Sequence, residues 1–263
     1  MATILDKIIA QKEIEVRELK AIYSSHQATT LKERPSLYET FTSADKLNII
    51  AEVKRASPSK GIINDGVDPI LQAKSYEDAG AGAISVLTDQ KFFKGSMADL
   101  SAVANAVNVP LLCKDFMIDE VQIDVAKDHG ASVILLIAAA LPEARLRELY
   151  QYARSLNLDV LFEVHNEEEA EVALRIGARI VGINNRDLKT FHVDLGVTER
   201  VAEMLKDENI LLVSESGIKT KQDVEFVEAA GAKAILVGET LMLADDIAAT
   251  IHDFRVPFRK VLK

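Results

Sequence analysis

A chain of 263 residues, 48% apolar and 27% charged, is long enough to bury a sizeable core and is ordinary in composition, so disorder is not expected to dominate. Its formal net charge of −10 argues against nucleic-acid and anionic-membrane surfaces, which need basic patches, and confines any phosphate site to a local pocket. One cysteine, Cys113, allows no internal disulfide, Met1 to Lys20 is too charged for a signal core, and no run approaches the ~18 apolar residues of a membrane helix; a cytoplasmic setting is expected.

Residues 1–46 precede the first predicted strand and include an amphipathic helix with apolar Ile4, Leu5, Ile8, Ile9, Ile14, Val16 and Leu19. Such an extension suits either capping the bottom of a barrel or covering its active end. No linker rich in Pro or Gly follows it, so residues 1–263 are expected to form a single domain, with the barrel over 47–263. The first strand, Ile49 to Val53, is apolar on both faces yet carries Glu52 and, just beyond, Lys54. A strand's period of two points both to one side of the sheet, where burial costs several kcal/mol each, roughly, unless they pair. They form a structural ion pair or belong to a site.

Four segments then repeat one pattern, a helix end, Gly-Ala and a strand: Gly82-Ala83 before Ile84 to Leu87, Gly130-Ala131 before Val133 to Ile137, Gly177-Ala178 before Ile180 to Ile183, and Gly231-Ala232 before Ala234 to Val237. The glycine is read as the left-handed residue that ends each helix. The intervals are 48, 47 and 54 residues, about twice a βα unit, so each gap should hold another strand. Val109 to Cys113, Leu158 to Phe162 and Ile210 to Val213 supply them. Helices are predicted over Ile70 to Ala79, Glu120 to Asp128, Pro142 to Ser155, Glu167 to Arg175 and Lys221 to Ala229. Eight strands alternating with helices favour an α/β fold of the (βα)8 TIM-barrel type with an N-terminal helical extension; a doubly wound open sheet is the alternative.

In such barrels the active site lies at the carboxyl ends of the strands. Here those ends are polar: Glu52 and Lys54 on strand one, Lys114 and Asp115 on strand three, Glu163 on five, Asn184 on six, Glu215 and Ser216 on seven, Gly238 and Glu239 on eight. Singly, Lys114 reads as a surface lysine, Glu163 as a helix cap and Asn184-Asn185 as a turn. Together they suggest lysines and carboxylates converging in one mouth, where neighbouring charges push pKa values apart, one lysine losing its proton readily and one carboxylate becoming a base. That suits acid and base catalysis without a cofactor. Ser216-Gly217 and Gly238-Glu239, after strands seven and eight, place small residues where backbone N–H groups can approach a phosphate, with Ser57-Pro58-Ser59-Lys60-Gly61 nearby. Phe93 and Phe116 follow strands two and three, where a ring-bearing substrate explains them better than core packing does. The histidines His26, His129, His165, His192 and His252 lack metal-ligand spacing, His129 and His165 being read as solvated or capping, and Cys113 is read as core. No dinucleotide or Walker pattern appears.

The run Ile50-Ala51-Glu52-Val53-Lys54-Arg55-Ala56-Ser57-Pro58-Ser59-Lys60-Gly61, with Lys114-Asp115-Phe116, Gly182-Ile183-Asn184-Asn185-Arg186-Asp187-Leu188, Ser214-Glu215-Ser216-Gly217-Ile218 and Val237-Gly238-Glu239, resembles the indole-3-glycerol phosphate synthase family of tryptophan biosynthesis, over nearly the whole chain. The resemblance implies a lyase that closes the pyrrole ring of 1-(2-carboxyphenylamino)-1-deoxyribulose 5-phosphate, releasing carbon dioxide and water, with no cofactor or metal. It implies Lys114 as the general acid, Lys54 as a second lysine on the anionic substrate, and Glu163 as the base or acid of the dehydration. Glu52 would hold the lysines and Asn184 would orient substrate hydroxyls. Glu215 and Ser216 would line the aromatic end, Ser57, Gly217, Gly238 and Glu239 the phosphate, Phe93, Phe116 and Leu135 an apolar wall, and Arg186 would stabilise the rim or the phosphate side. Cys113, His192 and Thr240 depart from commoner family residues. The expected partner is a small phosphorylated substrate, with no nucleic acid and no membrane; a monomer is expected, with other tryptophan-pathway enzymes as candidate associates. Two rivals are a Schiff-base aldolase on Lys114, activated by Lys54, and a non-catalytic phosphate-binding barrel.

Overall fold

The computed structural model describes residues 3–23, 32–64, 66–206 and 208–259. Eight parallel strands close into a barrel: β1 (Asn48–Val53), β2 (Ala83–Leu87), β3 (Leu111–Lys114), β4 (Val133–Ile137), β5 (Asp159–Val164), β6 (Ile180–Asn184), β7 (Leu211–Glu215) and β8 (Ala234–Val237). They pair in sequence order, and β8 returns to β1 through Asn48 opposite Ala234 and Ala51 opposite Val237. Closure excludes the open sheet.

Each strand alternates between two cores. Ile50, Ala83, Leu112, Val133, Leu135, Ile137, Leu161, Ile180, Leu211, Val213, Ala234 and Leu236 face inward and fill the barrel. Their neighbours Ile49, Ile84, Cys113, Ile134, Phe162, Val181, Leu212 and Ile235 face outward into a second cluster with the surrounding helices. Period-two burial on both faces is what near-continuous apolar strands require.

Strands three, five and seven run further toward their carboxyl ends than their apolar residues suggest, reaching Lys114, Val164 and Glu215. β3 also starts two residues later than predicted, at Leu111. After the two helices of the extension come α3 (Pro69–Asp78), α4 (Gln90–Phe93), α5 (Met97–Ala106), α6 (Glu120–Asp128), α7 (Glu143–Ser155), α8 (Glu167–Ile176), α9 (Gly196–Leu205) and α10 (Lys221–Ala230), of which α3, α6, α7, α8 and α10 fall close to their predicted spans. In the first repeat the left-handed residue is Gly80, with φ +98°, rather than Gly82. Gly82 answers a different need, since a Cβ there would lie 2.8 Å from Phe41 Cε1; it is small to admit that ring.

Phe41 belongs to the extension, which does both things expected as alternatives. Its short helix α2 (Leu37–Thr42) seats Leu37, Tyr38 and Phe41 against the inward residues at the amino ends of the strands, sealing the barrel floor. Its long helix α1 (Ile4–Ile22) lies at the opposite end. There Lys12, only 3% exposed, places Nζ 2.7 Å from Asp115 Oδ1 and 2.9 Å from Asp89 Oδ2, just past β3 and β2. Among the described residues no helix is long and apolar enough to cross a membrane.

Candidate active site

The inward alternation of each strand dictates what its last residue offers. Two steps beyond Ile50, Leu112, Leu161 and Val213 stand Glu52, Lys114, Glu163 and Glu215, and four beyond Ile180 stands Asn184; β2 and β4 end there in apolar Leu87 and Ile137. The strand-end carboxylates and lysines therefore form the top inward layer of the barrel.

Lys114 Nζ is shared equally, 2.8 Å from Glu163 Oε2 and 2.8 Å from Glu215 Oε2. Glu163 Oε1 accepts a hydrogen bond from Asn184 Nδ2 at 3.1 Å. Lys54 Nζ lies 2.6 Å from Glu52 Oε2, so the pair in the first strand's pattern is formed. Two glycines make room for these groups. A Cβ on Gly182 would stand 2.1 Å from Glu215 Oε1, and one on Gly238 would stand 2.5 Å from Glu52 Oε2 and 3.1 Å from Lys54 Nζ. Neither residue can carry a side chain without moving a charged group.

Burial disfavours the Lys114 ammonium, but Glu163, Glu215 and Glu52 outweigh it and hold its pKa above the ordinary lysine value. The expectation that a lysine here loses its proton readily is therefore corrected for Lys114: carboxylates outnumber cations around it. Burial raises the Glu163 carboxyl, yet Lys114 and then His165 hold it well below the usual carboxylate range. Glu215, against the same ammonium, is pushed up to about 7, chiefly by burial, with Lys114 opposing and Glu163 and Glu52 adding to the rise. The carboxylates are driven apart, as the strand ends suggest.

His165 is a functional candidate that the sequence pattern presents as solvated or capping, and the structure corrects this. It is largely buried, with Nδ1 3.0 Å from Glu169 Oε2 and Nε2 3.3 Å from Glu163 Oε1. Burial disfavours its imidazolium, but the two carboxylates overturn that and push its pKa up to about 10. Its spacing from Glu163 is the signal that could have found it: two residues along one strand, as for Glu52 and Lys54. His129 does cap, Nδ1 lying 2.7 Å from Val125 O at the end of α6. His26 lies outside the described residues. Cys113 is buried in the outer core, its thiol pKa pushed up by burial.

The remaining residues divide. Phe93 and Phe116 meet at the rim, ring centroids 5.9 Å apart. Leu135 lies in the barrel interior, 2% exposed, in the same inner cluster against which Phe116 packs. Ser216 and Gly217, with φ +66° and +85°, form a left-handed turn beyond β7, held where Asn185 Nδ2 donates to Glu215 O and Ser216 O. Asn185 is thus a buried junction and not a plain turn residue. Ser57 lies in a two-residue hairpin, Ala56–Ser57 with Gly61–Ile62, and Lys60 of that hairpin reaches Glu239 at 3.1 Å. Gly238 caps the short helix Glu239–Met242 after β8. Arg186 turns back into its own loop, Nη1 donating to Phe191 O at 3.4 Å, away from the lysine and carboxylate layer. Among the described residues no cluster of His, Cys, Asp and Glu has the makings of a metal site.

A protein-family model described as indole-3-glycerol phosphate synthase matches residues 5–254. Proteins named indole-3-glycerol phosphate synthase from Bacillus mycoides (strain KBAB4) and Bacillus cereus (strain ATCC 10987) are each 50% identical over 256 residues, covering 97% of this chain and 99% of the relative. Among solved structures, thiamine phosphate pyrophosphorylase from Pyrococcus furiosus is similar with a TM-score of 0.58 and 19% identity, over 79% of this chain and 93% of that one; it shares the fold alone.

Proposed function

The chain belongs to the indole-3-glycerol phosphate synthase family, carboxy-lyases of tryptophan biosynthesis, and from that premise we propose how its own residues close the ring of 1-(2-carboxyphenylamino)-1-deoxyribulose 5-phosphate. The observation that carries the reading is the Lys114 ammonium held between Glu163 and Glu215 at the top of the barrel.

The chemistry sets the demands. The ring carbon that bears the carboxylate attacks the ketose carbonyl, and negative charge grows on the carbonyl oxygen. Lys114, kept charged by its carboxylates, stabilises that oxygen and gives it a proton. Carbon dioxide then leaves, its bonding pair restoring the aromatic ring. In the dehydration the new hydroxyl departs as water with a second proton, while the adjacent methylene carbon releases one to a base. Glu163, held ionised, is that base, and Lys54 shares the proton supply while meeting the substrate's negative charge. Glu215, titrating near neutrality against Lys114, is suited to restore its proton. Two protons enter and one returns, so each turnover draws one from solvent.

Glu52 orients Lys54 and Asn184 orients Glu163 and the substrate hydroxyls. Phe93 and Phe116 flank the aromatic ring above Leu135, Ser216 lines its end, and the backbone around Ser57, Gly217, Gly238 and Glu239 receives the phosphate. Arg186 stiffens the rim loop. In this reading residues 1–263 work as one domain and as a monomer, since the extension supplies contacts at both ends of the barrel.

A Schiff-base aldolase needs a neutral amine, and the charge held on Lys114 disfavours it. The test is indole fluorescence from purified, chelator-treated protein given the carboxyphenylamino deoxyribulose phosphate. Product formation supports the synthase; its absence at high protein concentration, or a borohydride-trapped adduct on Lys114, overturns it.

A further inference from the structure

Glu163 and Glu215 approach Lys114 Nζ at the same distance, 2.8 Å, and their side chains are 5% and 3% exposed, so neither the shared cation nor burial distinguishes them. The difference lies on their far oxygens. Glu163 Oε1 accepts a hydrogen bond from Asn184 Nδ2 at 3.1 Å and has the imidazole Nε2 of His165 at 3.3 Å, an ion-pair distance without hydrogen-bond alignment. Glu215 Oε1 faces the gap above Gly182 and has no hydrogen-bond partner among the described residues.

The imidazole is itself fixed from behind. Glu169 Oε2 accepts from the backbone N–H of His165 at 2.9 Å and lies 3.0 Å from Nδ1, while Glu169 Oε1 accepts from Asn166 Nδ2 at 3.0 Å. The proton is thereby kept on Nδ1, and Nε2 is turned toward Glu163. Charged groups that face the ring are Glu163 on its own strand and Glu169 on α8, with Lys114 of β3 beyond Glu163; the turn Ala138–Ala140 contributes only apolar side chains.

We propose that His165 is a positioning residue of this site: a permanent imidazolium seated between Glu163 and Glu169 that makes Glu163, and not Glu215, the ionised carboxylate at the shared Lys114 ammonium. Without it the two carboxylates become near equivalents that compete for one proton, and the base is occupied part of the time. The pKa of about 10 for the ring agrees with this geometry. The kinetic consequence rests on the synthase reading above; the charge state does not.

The test pairs kinetics with spectroscopy. His165→Asn keeps a donor toward Glu169 and removes the charge. Loss of a neighbouring charge raises a carboxyl pKa by ~1 unit or more. Turnover of His165→Asn should therefore fall about twofold or more at pH 6, where the two carboxylates share one proton, and climb back toward the wild-type rate by pH 9, where both are ionised. A fractional loss that is the same at every pH overturns the proposal, because a merely structural role gives that result. Independently, nitrogen-15 spectra of histidine-labelled wild-type protein should show both ring nitrogens of His165 protonated at pH 8; a neutral tautomer there overturns it. That spectrum decides the matter even if the variant fails to fold. It also decides it if the wild-type protein makes no indole product, in which case the synthase reading fails while the imidazolium stands or falls on its own.

Discussion

Glu215 Oε1 occupies the space that a side chain on Gly182 would fill, a Cβ there standing 2.1 Å away. The neighbouring strand thus fixes where the carboxylate lies. Gly182→Ala should swing Glu215 off Lys114 and misplace the ammonium. Turnover should fall ~10²-fold, the scale of an ångström-level displacement, with the circular-dichroism spectrum unchanged. Kinetics on the folded variant check this, and a rate near wild type would show that Glu215 has room to spare.

Lys114→Ala and Glu163→Gln should each lower turnover by ~10²-fold or more, the usual scale for general acid and base groups. Removing Lys114 also leaves Glu163 and Glu215 facing each other without the cation they share. Lys114→Ala should consequently lose more thermal stability at pH 8 than at pH 5.5, where one carboxyl can take up a proton. Thermal unfolding at the two pH values measures the difference; equal losses at both would contradict it.

Lys12 should matter to the site although it lies on the extension. Asp89 Oδ1 caps the backbone N–H groups of Phe92 and Phe93, and Asp115 Oδ1 accepts from Phe116 N. The same two carboxylates hold the Lys12 ammonium. Lys12→Met strands two buried charges, at a cost of about 3–5 kcal/mol. It should also raise KM more than it lowers kcat, because Phe93 and Phe116, proposed to flank the substrate ring, lose their anchors. Denaturant unfolding and steady-state kinetics on one preparation test both.

The pH dependence of stability should carry the mark of His165. Its folded pKa, about 10, lies above the unfolded value, so its contribution is complete below ~6.5 and lost as pH rises through about 10. Wild-type protein should melt at a lower temperature at pH 9.5 than at pH 6.5, and His165→Asn should show a shallower decline. An identical decline in the two proteins would assign the loss to other groups.

Much of this architecture is legible in the sequence, for physical reasons that also explain what is not. Eight apolar runs between amphipathic stretches suffice for the barrel, because both faces of each strand are buried. Where strands stop is harder to read. Lys114, Glu163 and Glu215 look like residues beyond a strand, since charge usually marks an end, yet here they continue the inward face as a largely buried top layer. Gly80 and Gly82 are two residues apart and chemically identical; only the ring of Phe41 tells which must be small and which left-handed. Besides Glu15 on its own helix, Lys12 has partners 77 and 103 residues away, and nothing local announces those two. His165 was within reach of period-two reasoning, but a helix cap at Asn166 offered a simpler account.

Sealing the floor with α2 has a consequence for how the molecule is made. Leu37, Tyr38 and Phe41 rest on residues from Ile50 through Ala234, so the surface they cover is complete only when the last strand has closed against the first. These side chains leave the ribosome before any of the strands they cover, and must wait exposed until nearly two hundred further residues have followed. The plug is thus synthesised ahead of every strand and is among the last surfaces to be buried, which makes its docking a long-range and slow event.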